Sequence, residues 1–189
     1  MRERRALLTP QRTDARRNRE IILRAADEAF AEGSEPVQIE EIARRAGLGR
    51  ATVYRHFSDR HALATTVAAN RIDALARLVD GAEREHRPFR ELLHVVLSDL
   101  VVRRPLVNLI RQLPEQEQQR FADALVTVLT PAFHRAQAAA EVRTDLDPAD
   151  LVLVLEMVEG ALASKLPRAD DAVRKLIAVT LDGLCPRPG

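Results

Sequence analysis

This sequence is poor in the residues that build strands, cross-links and stacked pockets. Its 189 residues hold one cysteine, one tyrosine, no tryptophan and seven glycines. A lone Cys185 excludes an internal disulfide, and zinc sites need more thiols and histidines at close spacing. The five histidines (His56, His61, His86, His94 and His134) show no metal-ligand spacing, so neither metal nor cofactor is expected. There is no Gly-rich phosphate cradle and no Gly-x-Ser-x-Gly. Cys185 sits in the polar tail "GLCPRPG" with no histidine beside it. No enzyme is expected. No apolar run reaches membrane-spanning length. The start "MRERRALLTPQRTDARRNRE" has neither the apolar centre nor the cleavage pattern of a secretory signal. These absences point to the cytoplasm and to no membrane partner.

Alanine and leucine are abundant, often three or four residues apart, and alternating strand patterns are missing. Prolines punctuate the periodic stretches. The reading is all-α, with about nine helices near 15–32, 39–46, 50–56, 62–84, 88–103, 106–112, 115–142, 148–166 and 169–184. Pro131 falls inside the seventh and should kink it. In "TDLDPADL", Asp147 can cap a helix, Pro148 suits its first position, and Asp150 suits the dipole.

The net charge of +1 hides an asymmetry. Residues 1–61 hold 13 arginines against 10 acids, while the rest of the chain is −2. Residues 1–19 alone are +5. Such an end suits a polyanion partner, or it is a solvated arm.

The stretch "GLGRATVYRHF", residues 47–57, gives that end a purpose. Ile39, Ile42, Ala43 and Ala46 share one face of a short helix. Gly47 follows where a chain turns with positive φ. Leu48 plugs inward, and Val53 and Phe57 form the inner face of the next helix. The preceding helix offers Ile22, Ala26, Ala29 and Phe30. Together these make a helix-turn-helix unit. Arg50, Thr52, Tyr54, Arg55 and His56 face out or flank, which are the donors a DNA site needs.

At these residues the chain resembles a known family. "IILRAADEAFAEG…VQIEEIARRAGLGRATVYRHFSDRHAL", about residues 19–63, is similar to the N-terminal domain of the tetracycline-repressor (TetR) family of bacterial transcription regulators. The resemblance implies an all-helical homodimer with a helix-turn-helix head and a variable ligand-binding body. It implies release from a palindromic operator in double-stranded DNA when a small-molecule effector binds. It places base-reading positions at Arg50, Ala51, Thr52 and Arg55, and phosphate contacts at Tyr54, His56 and Arg60. Two positions depart from the family's pattern. Gln38 and Gly49 stand where hydroxyl residues commonly cap the second and third helices, so both caps should be weaker. The expected division is a basic arm at 1–13, a DNA-binding domain at 14–61 and an effector-binding and dimerisation domain at 62–189.

In the last part, "DLVLVLEMVEGALASKL" is apolar nearly all round, so its helix is buried on two sides. Those sides are its own core and a partner subunit, or two sides of one core. Leu151, Leu155, Val158, Leu162, Val173, Ile177 and Leu181 are the expected dimer interface. Helices near 88–142 should line an effector cavity. Its candidates are His94, Asn108, Arg111, Phe121 and Phe133, with Phe89, Gln112 and His134 nearby. So few aromatics suit an aliphatic or small polar effector better than a stacked planar one. The competing class is a helical interaction or scaffold protein whose basic arm binds another polyanion. A gel shift with the DNA upstream of the chain's own gene separates the two.

Overall fold

The computed structural model describes residues 10–32, 37–163 and 169–185. Among them are nine helices and no strand: α1 Pro10–Ala31, α2 Ile39–Ala46, α3 Arg50–His56, α4 Arg60–Arg84, α5 Phe89–Val102, α6 Arg104–Ile110, α7 Glu115–Ala138, α8 Asp150–Ala163 and α9 Ala169–Leu184. Residues 1–9 of the expected arm lie outside the described residues. α1 begins at Pro10, where a missing N–H costs a helix nothing. α7 runs through Pro131 as one helix and closes at Ala138, short of the expected 142. Its end is set by Ala140 in the left-handed region, φ 58°. α8 is capped as the sequence suggests: Asp147 Oδ1 accepts from Ala149 N at 2.7 Å, and Asp150 Oδ2 accepts from Asp147 N at 2.9 Å.

Two apolar cores organise the chain. The first gathers Ile22, Ala26, Ala29 and Phe30 of α1, Ile39, Ile42 and Ala43 of α2, Val53 of α3, and Phe57. It also takes Leu63, Ala64 and Val67 from α4, and Leu106 and Leu109 from α6. The second is larger. Phe89, Leu92, Leu93, Val96 and Leu97 of α5 meet Leu129, Ala132 and Phe133 of α7 and the inner faces of α8 and α9. Phe89 and Phe133 pack edge to face, 5.6 Å between ring centres, the geometry that aromatic quadrupoles favour. Each fully buried large side chain contributes about 1.5–3 kcal/mol. α4 takes part in both cores, and so ties them together.

The α8–α9 pair corrects one expectation. Leu151, Leu155, Val158, Leu162, Val173, Ile177 and Leu181 are each at most 3% exposed in the single chain. They fill its own core and have no surface to offer a partner. The apolar residues left open on the same helices are Leu153 (58% exposed), Met157 (47%) and Val179 (67%). The all-round apolar pattern of α8 was split the other way: the inner stripe closes the fold, and the outer stripe is free. Cys185 is a second correction. It is buried against this core rather than in a polar tail, and burial pushes its thiol up, which disfavours the nucleophilic thiolate.

Candidate nucleic-acid interface

The turn between α2 and α3 is fixed by backbone chemistry. Gly47 has φ 65° and ψ 29°, the left-handed conformation that ends α2. Its N–H donates to the Arg44 carbonyl at 3.2 Å, and the Leu48 N–H to the Ala43 carbonyl at 2.9 Å. That pair satisfies two carbonyls at the helix end. Leu48 packs against the first core. α3 then starts at Arg50 with Gly49 before it, and neither Gln38 nor Gly49 makes a side-chain cap. The two departures noted in the sequence therefore leave both helices without that hydrogen bond.

α3 is anchored by Val53, fully buried, and followed by buried Phe57. Arg50, Ala51, Tyr54 and Arg55 are exposed, and Thr52 and His56 are half-buried. Arg55 Nη2 donates to Thr52 Oγ1 at 2.9 Å, so these two side chains lie on one face. Arg50 reaches across to Glu40 of α2 at 2.9 Å and stands 5.8 Å from the Tyr54 ring centre. Arg60 is half-buried at the start of α4. Asp59 caps α4 by accepting from Ala62 N at 2.8 Å, and this bond holds its carboxyl below the usual range. From α1, Arg19 lies 4.5 Å over the Phe57 ring.

The α1–α2 corner is held by charge. Arg45 pairs with Glu32 beyond α1 and with Glu41 on its own helix, the latter at 2.7 Å. Arg44 also donates to Glu41, at 2.7 Å. Arg44 first and Arg45 second hold the Glu41 carboxyl down at about 2.

A cavity of about 230 Å³ lies between α4, α5, α6, α7 and α8. Of the five expected ligand residues, Phe121 lines it. Arg111 is exposed and is not part of the lining, although its Nη1 donates to the carbonyl of Glu159, which is, at 2.7 Å. The other three are corrections too. His94 is exposed, because Leu93, Val96 and Leu97 take the inner face of α5. Asn108 does not line the cavity; its neighbours Leu106, Val107 and Ile110 do. Phe133 is spent on the core against Phe89. The lining instead includes Arg71, Asp99, Arg103 and Glu159. Burial pushes the Glu159 carboxyl up.

Comparison with known proteins places this geometry. Residues 22–67 match the model for bacterial regulatory proteins of the tetR family, a stretch that runs from α1 into α4. The crystal structure of a TetR transcription regulatory protein from Mycobacterium vanbaalenii is 32% identical, with 93% of this chain and 99% of that one covered at a TM-score of 0.59. The chain belongs to the TetR family. A second TetR regulator structure, from Streptomyces coelicolor, is 28% identical over 90% of this chain and 99% of its own, with a TM-score of 0.64. An HTH-type transcriptional regulator from Staphylococcus aureus is 27% identical over 92 residues, and that match spans about half of either protein, 47% of this chain and 48% of the relative. Among the described residues, no helix is long and apolar enough to cross a membrane.

For a TetR-family chain, the variable body is where residue-by-residue reading fails. Asp99 and Arg103 do carry a signal in the sequence. Asp99 is the one acid inside the apolar run "HVVLSDLVV", four residues before Arg103. A charge pair on the inner side of an apolar helix marks a polar spot in a cavity.

Proposed function

We propose that this chain is a homodimeric repressor. It binds an imperfectly palindromic operator through α3 and leaves it when a small molecule fills the cavity. The observation that carries the reading is α3 itself. A buried Val53 and Phe57 fix the helix on the first core, and leave Arg50, Tyr54 and Arg55 exposed with Thr52 and His56 half-buried beside them. Arg50 at the N-terminal end enters the major groove and, with Thr52 and Arg55, reads bases, while Ala51 keeps that face thin. Tyr54, His56 and Arg60 hold phosphates. In the free chain Arg50 is parked on Glu40. An exposed pair of this kind is worth about 0–1 kcal/mol, so DNA takes Arg50 over at little cost. Residues 1–13 act as a basic arm that adds counterion release.

The body supports the second half of the reading. α6 gives Leu106 and Leu109 to the DNA-binding core and lines the cavity with Leu106, Val107 and Ile110. A molecule in the cavity therefore pushes on a helix that the head leans on. The open stripe of Leu153, Met157 and Val179 supplies the dimer contact. A gel shift on the DNA upstream of the chain's own gene, followed by footprinting, tests this. A protected site with two-fold symmetry and half-sites about 34–36 Å apart supports it. Equal affinity for any duplex removes it.

A further inference from the structure

The charged residues at one end of the cavity form a closed set drawn from two halves of the chain. Asp27 comes from α1, Arg71 from α4 and Asp99 from α5, with Arg103 just beyond it. Arg71 Nη2 donates to Asp99 Oδ1 at 2.7 Å, and Arg103 Nε to the same oxygen at 3.1 Å. Arg103 Nη1 donates to the Asp27 carbonyl at 2.7 Å and stands 2.9 Å from Asp27 Oδ1. Arg71 meets Asp27 at 4.0 Å, the loosest contact of the set. The four charges cancel, yet the set is not satisfied. Arg71 Nε is buried with no hydrogen-bond partner, and Asp27 Oδ1 has only its ion-pair contact with Arg103. Buried groups left unpaired are costly, so this end of the cavity is poised to exchange partners.

The rest of the lining is almost wholly apolar, with Leu75, Val96, Leu100 and Leu125 among it. Leu78 and Val95 line it too and are exposed, which places the mouth between α4 and α5. Arg71 and Leu78 are seven residues apart on α4, about 10 Å at a rise of 1.5 Å per residue. Arg71 also lines the shallower cavity that Asp27 shares between α1 and α4. The ion set is therefore the wall between the effector cavity and the first helix of the head.

We propose that the effector is an amphipathic carboxylate. Its apolar body runs from the Leu78–Val95 mouth, and its head takes Arg71 and Arg103 in place of Asp27. The guanidinium fork matches a carboxylate with two parallel donors. A neutral head leaves both arginines as they are; of the acids in the lining, Asp99 is already bonded to both arginines, which leaves a cationic head only Glu159. Neutrality then selects what leaves: one carboxylate enters, so one must go. Asp99 is bonded to both arginines and sits on the cavity's own helix. Asp27 pairs closely with Arg103 alone, at 2.9 Å, stands 4.0 Å from Arg71, and belongs to α1. Its departure leaves α1 tied to Arg103 by the Asp27 carbonyl alone, so the ligand that fills the body loosens the head.

The inference rests on the effector-release reading above, and its test is run without DNA so that the two fail separately. The purified full chain is titrated calorimetrically with straight-chain alkanoates from hexanoate to dodecanoate, and with alkanols and alkylamines of matched length. The best alkanoate should bind at least tenfold tighter than its alkanol and its amine. Arg71→Gln should erase that preference, with helix content checked by circular dichroism. Asp27→Asn, which removes the competing carboxylate, should tighten alkanoate binding several-fold, and it decides the matter if Arg71→Gln does not fold. The proposal is overturned if no alkanoate binds, if the alkanol or amine binds as tightly, if Arg71→Gln keeps the preference, or if Asp27→Asn leaves binding unchanged or weaker. A chain that prefers alkanoates and yet holds its operator unaltered keeps the site and loses the release reading.

Discussion

The first core buries mostly alanine, valine and isoleucine, closed by Phe30 and Phe57, and turns its charges outward: Arg50, Arg55 and Arg60 on and beside α3, with Arg44 and Arg45 behind them. The second core is built from long helices rich in leucine and valine, and around its cavity it turns Arg71, Asp99, Arg103 and Glu159 inward. One region meets a partner as large as a duplex, so its chemistry must stand on the surface. The other is shaped to enclose something small, so its chemistry must be walled in. The same residue types serve both, and the side of the helix they occupy decides the use.

Four tests would break or sharpen that contrast. The largest effect is expected at Val158, fully buried on α8. Val158→Glu places an unpaired charge in the second core and should cost at least about 3–5 kcal/mol. Leu153→Glu, on the open side of the same helix, should leave the melting temperature nearly unchanged and weaken self-association. Thermal unfolding and sedimentation of the two variants measure this directly, and equal melting losses would erase the inner–outer division of α8.

Next is Arg50→Ala, which should relax base preference at one or two positions per half-site by about 1–3 kcal/mol. Tyr54→Phe should weaken all sequences alike, because a phosphate contact carries no base information. A panel of single-base operator variants checks both, and reversed outcomes would turn α3 end for end.

A smaller pair lies in the turns. Gly47→Ala has room for its methyl, with nothing within 4 Å, yet must hold φ 65°. The backbone alone should cost about 1–2 kcal/mol. Ala140→Gly, at φ 58°, should regain about as much. Chemical denaturation of the two should move in opposite directions.

The smallest effect is that of acid on the α1–α2 corner. Glu41 falls from an ordinary 4.5 to about 2 through Arg44 and Arg45. Its folded value lies below its unfolded one, so its contribution is complete above about 4.5 and is lost as pH falls towards 2. Glu41→Gln should lose that small contribution at neutral pH, match the parent near pH 2, and so flatten the acid limb between the two; a steeper limb would contradict the assignment.

What the sequence disclosed follows the same division. Gly47, the Val53–Phe57 spacing and the exposed arginines of α3 are all set within a dozen residues, so a linear reading reached them. The helices were legible for the same reason, since proline and capping chemistry are local. α7 ended early because Ala140 does a turn's work without the glycine that would have announced it. The cavity was not legible. Arg71 meets Asp99 across 28 positions and Arg103 meets Asp27 across 76. The sidedness of α8 was hidden too, since nearly every position in its first turns is apolar, and the pattern says how much is buried without saying which face.

Leu106 and Leu109 sit far along the chain yet complete the first core. The head is therefore not a module that can be lifted out at a linear boundary. A fragment ending within α4 would carry an apolar socket with nothing in it, and should be sticky or unfolded. A chimaera joining this head to another regulator's body inherits that body's α6 in the same socket. Swapping specificities between regulators of this shape is then a matter of grafting two segments, and a single crossover point leaves the lock with the wrong bolt.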